Sequence, residues 1–206
     1  MKNKVVGIVL AAIMVVSVAS VSFAAEDFKR WSVSTQIMYL NPDLDSEGIA
    51  STLLAEDAMT GGLVVEYFFT PYISTELVAA VAHLDLEVMG GAIDGDTWIL
   101  PPSLYVKYHP MPQWKISPYV GAGINWMYFW DETLNAGAAK VGLDIDNSFG
   151  WNAKAGADIK LTENLYANVD VMYLDNETEL DISDVARNLD VDVKVWSYNV
   201  GLKYRF

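Results

Sequence analysis

The amino-acid sequence predicts an all-β fold: an eight-stranded antiparallel transmembrane β-barrel with short periplasmic turns and long extracellular loops. The chain is 52% hydrophobic and 19% charged, yet no stretch after the N-terminal segment approaches the length of a membrane-spanning helix. Apolar and polar residues alternate with a period of two in successive segments, which is the pattern of strands with two different faces. The links between these segments alternate between short and long, as they do in membrane barrels.

The last segment shows the alternation most clearly. Its apolar row consists of Trp196, Tyr198, Val200, Leu202, Tyr204 and Phe206. The residues between them are Ser197, Asn199, Gly201, Lys203 and Arg205. A soluble sheet seldom leaves so apolar a strand at an edge, because an exposed edge promotes aggregation. A strand with lipid on one side and a lumen on the other requires this pattern, so we expect the chain to end within a closed barrel.

The N-terminal segment predicts export. Two lysines precede an apolar run over residues 5–18, and Ser22 and Ala24 supply the small residues of a cleavage site. The alternative is a membrane anchor, but the run is short for the ~20 residues that a spanning helix needs. We therefore expect a cleaved signal peptide over residues 1–24 and one outer-membrane β-barrel domain over residues 25–206.

Eight segments of the remaining chain carry the strand pattern. The predicted strands are residues 29–40, 60–69, 73–88, 97–109, 117–130, 148–161, 165–175 and 190–206. Pro101 and Pro102 predict an irregularity near the start of the fourth strand, because proline cannot donate to a ladder of hydrogen bonds. In the eighth strand the apolar row changes phase between Val195 and Trp196, which predicts a β-bulge.

The lengths of the links predict which end of the barrel faces outward. The short links are residues 70–72, 110–116 and 162–164, and the mostly long ones are residues 41–59, 89–96, 131–147 and 176–189. Short links correspond to periplasmic turns, so both termini should lie on the periplasmic side.

Most acidic residues fall in or beside the long links. They form either a solvated loop surface or a rim that binds divalent cations and so bridges lipopolysaccharide phosphates.

The composition and motifs argue against several classes of function. A net charge of −14 argues against nucleic acid as a partner. The chain has no cysteine, and it contains no nucleophile elbow, phosphate loop or zinc motif. We therefore expect no enzyme activity, no cofactor and no metal site. The one candidate for catalysis is His83 near Asp85, and a lone histidine beside a loop is usually a polar rim residue.

The inward-facing rows predict a lumen with two chemically different parts. The outer part should be lined by apolar residues: Met38, Leu40, Val78, Ala80, Leu84, Met127, Phe129 and Met172. The middle and periplasmic part should hold a plug of four acids and four bases: Glu66, Glu76, Asp158, Asp170, Lys107, Lys154, Lys203 and Arg205. Isolated charges are costly in a narrow interior, so these groups should pair. Such a plug would close the lower lumen to ions and water.

Two other interpretations fit the same inward and outward rows. An eight-stranded barrel has little inner space beyond its own side chains, so the inward residues could fill the barrel without any transport. A soluble lipocalin-like binder would instead place its apolar rows inside and its polar rows outside.

Four segments resemble a known family. Residues 100–104 read Leu-Pro-Pro-Ser-Leu and are followed by Tyr-His-Pro at 108–110, and residues 118–125 read Pro-Tyr-Val-Gly-Ala-Gly-Ile-Asn. With residues 172–175 and the terminal 201–206, they resemble the corresponding motifs of the OmpW/AlkL family of outer-membrane β-barrel proteins.

The resemblance implies passive uptake of small hydrophobic molecules through a narrow apolar channel. In this family the channel opens outside and is blocked toward the periplasm, and cargo is thought to leave sideways into the membrane. At the constriction this sequence has Val78 and, in place of a tryptophan, Met172, which are smaller or softer side chains.

The alternative function is a structural or adhesive OmpX-like barrel that acts through its extracellular loops without transport. In either case we expect the protein in the bacterial outer membrane. The expected partners are outer-membrane lipids and lipopolysaccharide, small hydrophobic molecules, and the barrel assembly machinery through the C-terminal Phe206.

Overall fold

The computed structural model describes residues 28–46, 53–55, 57–88, 93–136, 139–141, 143–145, 147–182 and 186–206. The expected signal peptide, residues 1–24, lies outside the described residues. Within them the strands are β1 (Trp31–Ser46), β2 (Leu53–Ala55), β3 (Ala58–Phe68), β4 (Ile73–Ala80), β5 (Ala82–Val88), β6 (Ile93–Leu100), β7 (Ser103–Tyr108), β8 (Ile116–Ala136), β9 (Ala139–Val141), β10 (Leu143–Ile145), β11 (Ser148–Lys160), β12 (Leu165–Ile182) and β13 (Ala186–Arg205). In this part of the chain no helix is both long and apolar enough to cross a membrane.

Eight of these strands form a closed ring in which every pairing is antiparallel. Their order around the ring is β1, β3, β4, β7, β8, β11, β12 and β13, and β13 pairs back with β1. At the seam, Trp31 and Phe206 exchange two backbone hydrogen bonds of 3.2 and 2.8 Å. The predicted eight-stranded antiparallel barrel is confirmed, and closure leaves the ring without an unpaired edge.

Short turns join the ring strands at one end, which we call the turn end. They span residues 69–72, 109–115 and 161–164, close to the predicted short links. Two of them use the same local chemistry, because the Thr70 and Thr162 hydroxyls accept the backbone N–H of Ile73 and Leu165 at 3.0 and 3.1 Å. This local capping satisfies backbone donors where the ladder stops.

The opposite end, which we call the loop end, carries more strand than the sequence predicted. β1 continues to Ser46, β8 to Ala136 and β12 to Ile182, so much of the predicted long links is sheet. The alternation of apolar and polar residues fades there, whereas the backbone ladder does not depend on it. The sequence pattern therefore located the apolar part of each strand rather than its end.

Two predicted strands are broken at the same height. Val81 separates β4 from β5, and Pro101 and Pro102 separate β6 from β7, which confirms the predicted irregularity. Neither proline has an N–H to donate. The ladder between β4 and β7 accordingly ends at the pair of Val78 and Ser103.

The β-bulge predicted in the last strand is wrong. The register of β13 with both β1 and β12 runs through Val195 and Trp196 without a shift. Val193 and Val195 are 6% and 7% exposed and belong to the same inward row as Ser197. The apolar residues change from the outward to the inward row because the upper lumen is itself apolar. The backbone register therefore stays regular while the polarity of the interior changes.

The two faces of the ring are chemically opposite. Large apolar side chains on the outer face are about half exposed in the isolated chain: Ile37, Leu63, Val106, Val120, Ile124, Val200 and Leu202. The buried inward rows are largely polar or charged and include Ser34, Gln36, Glu76, Lys107, Asn168 and Lys203. This arrangement suits lipid around the barrel and excludes the soluble lipocalin-like alternative.

Aromatic side chains cluster near both ends of the outer face. At the turn end the Trp31 and Tyr67 rings lie 4.8 Å apart. Toward the loop end the centroid of the Tyr173 ring lies 4.9 Å from that of Trp196 and 5.4 Å from that of Trp151. Such pairs fit the two aromatic girdles of a membrane barrel, because amphipathic rings favour the interface between lipid and water.

We expect Val200→Lys to lower the free energy of unfolding by about 2–4 kcal/mol, because it places a charge on the lipid-facing surface away from either interface. Val200 is 52% exposed and pairs with Ile37 and Val169 in the middle of β13. Urea titration in lipid vesicles, followed by tryptophan fluorescence, measures the change. Gln113→Lys in the turn 109–115 is the control and should shift stability by less than about 0.5 kcal/mol. Equal losses in both variants would contradict a lipid-facing Val200.

Candidate functional site

A cluster of buried charges crosses the lumen. Glu66 of β3 and Glu76 of β4 are register partners, and each is 1% exposed. Lys107 of β7 lies between them, with its Nζ 2.9 Å from Glu66 Oε1 and 2.6 Å from Glu76 Oε2. Lys203 of β13 lies 2.7 Å from Glu66 and 2.8 Å from Asp158. Shared lysines compensate the carboxylates for their lost hydration.

A third lysine extends this cluster to the opposite wall. Lys154 of β11 places its Nζ 2.5 Å from Glu76 Oε1 and 3.6 Å from Asp170 Oδ2. Asp170 also accepts hydrogen bonds from the Tyr119 hydroxyl at 3.0 Å and the Asn199 amide at 2.7 Å. Its charge is therefore stabilised by neutral donors as well as by a lysine.

Neutral polar side chains complete the cluster. The Asn168 amide donates to Asp158 at 2.8 Å and to the Tyr119 hydroxyl at 2.9 Å. The Gln36 amide donates to Asn168 at 2.5 Å and to Asp170 at 3.1 Å. These bonds link β1, β8, β11 and β12 across the interior. Gln36 Oε1 has no hydrogen-bond partner among the described residues, so this part of the network is incompletely paired.

Arg205 does not join the cluster, and here the predicted pairing of four acids with four bases is wrong. Its guanidinium lies 3.7 Å from the centroid of the Phe68 ring, and its Nε donates to the Lys29 carbonyl at 2.7 Å. Among the described residues no carboxylate lies within 4.0 Å of it. Arg205 is the last residue of β13, two positions beyond Lys203 and at the turn end of the barrel.

His109 is a buried member of the cluster that the sequence analysis did not identify. It is 1% exposed, and its Nε2 lies 3.0 Å from Ser74 Oγ and 3.3 Å from Glu66 Oε1. Its ring lies 5.3 Å from that of Phe68 and 5.4 Å from that of Tyr119. The available signal was its position two residues beyond an inward lysine, in the same row of the alternation.

An apolar cavity of about 30 Å³ lies on the loop side of the charged cluster. Its lining residues are Met38, Leu40, Pro42, Val78, Ala80, Pro101, Ser103, Met127, Met172, Leu174 and Val195. Six of the eight apolar residues expected in this part of the lumen are among them. The other two, Leu84 and Phe129, have side chains outside the described part of the structure.

Four apolar lining residues were missed by the sequence analysis. Pro42 lies beyond the predicted end of the first strand, and Val195 precedes the supposed bulge. Pro101 was interpreted only as a break. Leu174 is two residues beyond Met172 in the same inward row, so the alternation alone would have found it.

The cavity is small, and its lining is deformable. A volume of about 30 Å³ holds roughly two water molecules. Met38, Met127 and Met172 are 1%, 0% and 3% exposed and line its wall. Methionine side chains adapt readily because they are unbranched. A longer apolar molecule would enter by displacing these three side chains.

A solvent-exposed acidic contact lies at the loop end, next to the start of β3. Asp57 accepts a short hydrogen bond from the Tyr39 hydroxyl and one of 2.6 Å from the Asn41 amide. These bonds, the one from Tyr39 first, lower the pKa of Asp57 below its ordinary value. The carboxylate therefore stays ionised at neutral pH and contributes to the acidic character of this end.

Comparison with known sequences identifies relatives over most of the chain. The model of the OmpW family matches residues 29–206. The chain is 33% identical over 162 residues to the uncharacterized outer-membrane protein y4mB of Sinorhizobium fredii, which covers 76% of this chain and 69% of that protein. It is 32% identical over 157 residues to outer membrane protein W of Vibrio cholerae, covering 70% of this chain and 72% of that protein.

Solved structures agree with this assignment. The crystal structure of the outer membrane protein OprG from Pseudomonas aeruginosa superposes with a TM-score of 0.71 at 26% identity, covering 86% of this chain and 96% of that chain. The solid-state NMR structure of the outer membrane protein AlkL gives a TM-score of 0.62 at 20% identity over 90% of this chain and 93% of that chain, which supports the fold alone. The resemblance found in the sequence is confirmed: this chain belongs to the OmpW family, whose members are β-barrels of the bacterial outer membrane.

Proposed function

We propose that this barrel takes up small hydrophobic molecules passively from the outside of the cell. The observation that carries the proposal is the apolar cavity next to a cluster of paired charges. An apolar molecule loses its unfavourable contact with water on entering the cavity, which is worth about 0.8 kcal/mol for each buried CH₂ group. The charged cluster offers it no comparable environment.

The cluster is proposed as the plug that closes the axial route. Its acids share lysines at 2.5 to 3.6 Å, and the Tyr105 and Tyr119 side chains beside them are 0% and 2% exposed. An ion crossing this layer would have to break charge-assisted hydrogen bonds without bulk water to replace them. Arg205 would act separately, as a cover over Phe68 on the periplasmic side.

Selectivity for apolar molecules would arise from the chemistry of the cavity wall. Its one polar lining side chain, Ser103, donates its hydroxyl proton to the Pro101 carbonyl at 3.1 Å. The remaining lining is aliphatic or thioether. A charged solute would be desolvated there without a partner, and this penalty would exclude it.

The break in the wall is proposed as the exit. Ala80 and Pro101 line the cavity, and the ladder beside them is interrupted where Pro101 and Pro102 lack an N–H. The two missing N–H groups would reduce the number of backbone hydrogen bonds that have to open at this point. A molecule that cannot pass the plug would therefore leave sideways, into the surrounding lipid.

Two further contacts of the barrel are proposed. Phe206 is 36% exposed at the seam, where the assembly machinery would recognise the last strand. Asp57, held ionised by its neighbours, belongs to an acidic outer rim that would meet lipopolysaccharide through divalent cations. Most of the acidic residues of the long links lie outside the described side chains.

Met172→Glu should reduce uptake to the rate of cells without the barrel, because a carboxylate in the cavity wall has no partner there and brings in water. The measurement is the rate at which cells with an intracellular alkane hydroxylase convert external n-octane. Met111→Glu, in the exposed turn 109–115, is the matched control and should keep the wild-type rate. If the wild type itself gave no gain over cells without the barrel, the adhesive alternative would be favoured.

Lys203→Met should lower the free energy of unfolding by about 3–5 kcal/mol, because it leaves two buried carboxylates without a shared partner. It should also produce cation-selective conductance in planar bilayers, where we expect the wild type to stay closed. Lys160→Met removes an exposed lysine from β11 and is the control. Adding Asp158→Asn to Lys203→Met should recover part of the loss, since one unpaired charge is then removed. Identical stability and conductance in the two lysine variants would count against a plug.

A further inference from the structure

Two buried asparagines between the cavity and the charged cluster have amide atoms without a hydrogen bond among the described residues. Asn152 of β11 is 0% exposed, and neither its Nδ2 nor its Oδ1 is paired. Asn125 of β8 is 1% exposed; its Nδ2 donates to Asn176 at 2.6 Å, and its Oδ1 is unpaired. Unpaired buried amides are unfavourable. An apolar side chain would therefore serve better than Asn152 at a purely structural position.

The register of the strands places Asn152 directly beside the cavity wall, next to the lining residue Leu174. On one side it pairs with Leu174 of β12, which lines the cavity, and on the other with Gly123 of β8. Gly123 pairs in turn with Tyr105 of β7, and Tyr105 pairs with Glu76 of the charged cluster. One row across the sheet thus leads from the cavity wall to the cluster, with Asn152 between them.

Gly123 maintains the space around this amide. A Cβ atom at this position would lie 1.8 Å from the Leu104 carbonyl oxygen and 2.9 Å from Asn152 Oδ1, so no side chain fits. Asn125 follows two residues later on β8 and pairs with the cavity-lining Ser103. Both incompletely paired amides therefore adjoin residues of the cavity wall.

The charge of the neighbouring cluster limits which polar group these amides can receive. Four carboxylates face three lysines within 4.0 Å, so the carboxylates of the cluster outnumber its lysines by one. Arg205 lies outside the cluster and pairs with an aromatic ring. An anionic group beside these amides would lie next to carboxylates that already outnumber their lysine partners, which disfavours it relative to a neutral group.

We propose that the cavity selects amphipathic molecules with an apolar chain and a neutral head group that both donates and accepts hydrogen bonds, such as a primary alcohol or a primary amide. The head group would accept from Asn152 Nδ2 and donate to Asn152 Oδ1 or Asn125 Oδ1. The chain would lie against the three methionines. This inference rests on the proposed uptake of hydrophobic molecules and specifies that the preferred ones carry a polar head group. A pure hydrocarbon leaves these amide atoms unpaired, so the site discriminates against it.

The test compares 1-octanol with n-octane and octanoate by NMR titration of the full barrel in lipid nanodiscs. Methionine methyl groups and asparagine side-chain amides are labelled. Both uncharged ligands should shift the methyl signals of Met38, Met127 and Met172. Only 1-octanol should shift the side-chain amides of Asn152 and Asn125. Octanoate should bind more weakly than 1-octanol.

Asn152→Leu replaces the amide with an apolar group of similar size. It should weaken 1-octanol binding about fivefold to tenfold, the effect of losing one hydrogen bond, and leave n-octane binding unchanged. Its stability should not fall, because an unpaired amide has been removed. Asn152→Ser keeps a donor and an acceptor and should recover part of the affinity. Asn164→Leu, in the turn 161–164, is the matched control and should bind both ligands like the wild type.

The outcomes separate this inference from the function on which it rests. If neither uncharged ligand shifted the methionine signals of the wild type, the uptake proposal would fail and the head-group site with it. If n-octane bound normally but Asn152→Leu left the ratio of the 1-octanol and n-octane affinities unchanged, only the head-group site would be overturned. Asn152 would then contact buried water alone.

Discussion

The interior of this barrel depends on the contact of Lys107 with Glu66 and Glu76. Two buried carboxylates stand side by side on neighbouring strands, and they would repel each other without a cation between them. Lys154 of β11 reaches Glu76 across the lumen, and Lys203 of β13 reaches Glu66. The ring is therefore held together across its lumen as well as around its circumference. Replacing one of these lysines exposes the remaining charges to an interior that cannot solvate them.

This cluster also determines where the apolar cavity begins. The cluster itself is ionic, and on its loop side the lining changes to methionine, leucine, valine and proline. The charged cluster and the apolar lining favour different surroundings, because water that solvates the charges would be unfavourable against the apolar wall. Asn152 and Asn125 lie at their boundary, where a molecule with one apolar and one polar end matches both sides. The wall is interrupted at the level of the cavity, close to Pro101.

The predicted strands and their faces follow from the local alternation of residues. The wrong predictions concern how far along the barrel axis a side chain lies, which the alternation does not determine. Six of the eight expected apolar residues line the cavity because their side depends only on a period of two. Arg205 shares that inward row, but it lies at the turn end of the barrel and binds an aromatic ring instead. His109 is drawn into the cluster by Ser74 and Glu66, which lie far from it in sequence. Val195 faces inward without any bulge, since the polarity of the lumen reverses along its axis.

The sequence by itself determined the closed antiparallel barrel, its lipid-facing surface, its short turns and its family, because each of these depends on alternation, link length or contiguous motifs. Only the tertiary structure decided which charges meet, which amides stay unpaired and how large the cavity is. Those features depend on the tilt and register of eight strands, which bring residues more than a hundred positions apart, such as Glu66 and Lys203, to 2.7 Å. No local pattern encodes a distance across the lumen.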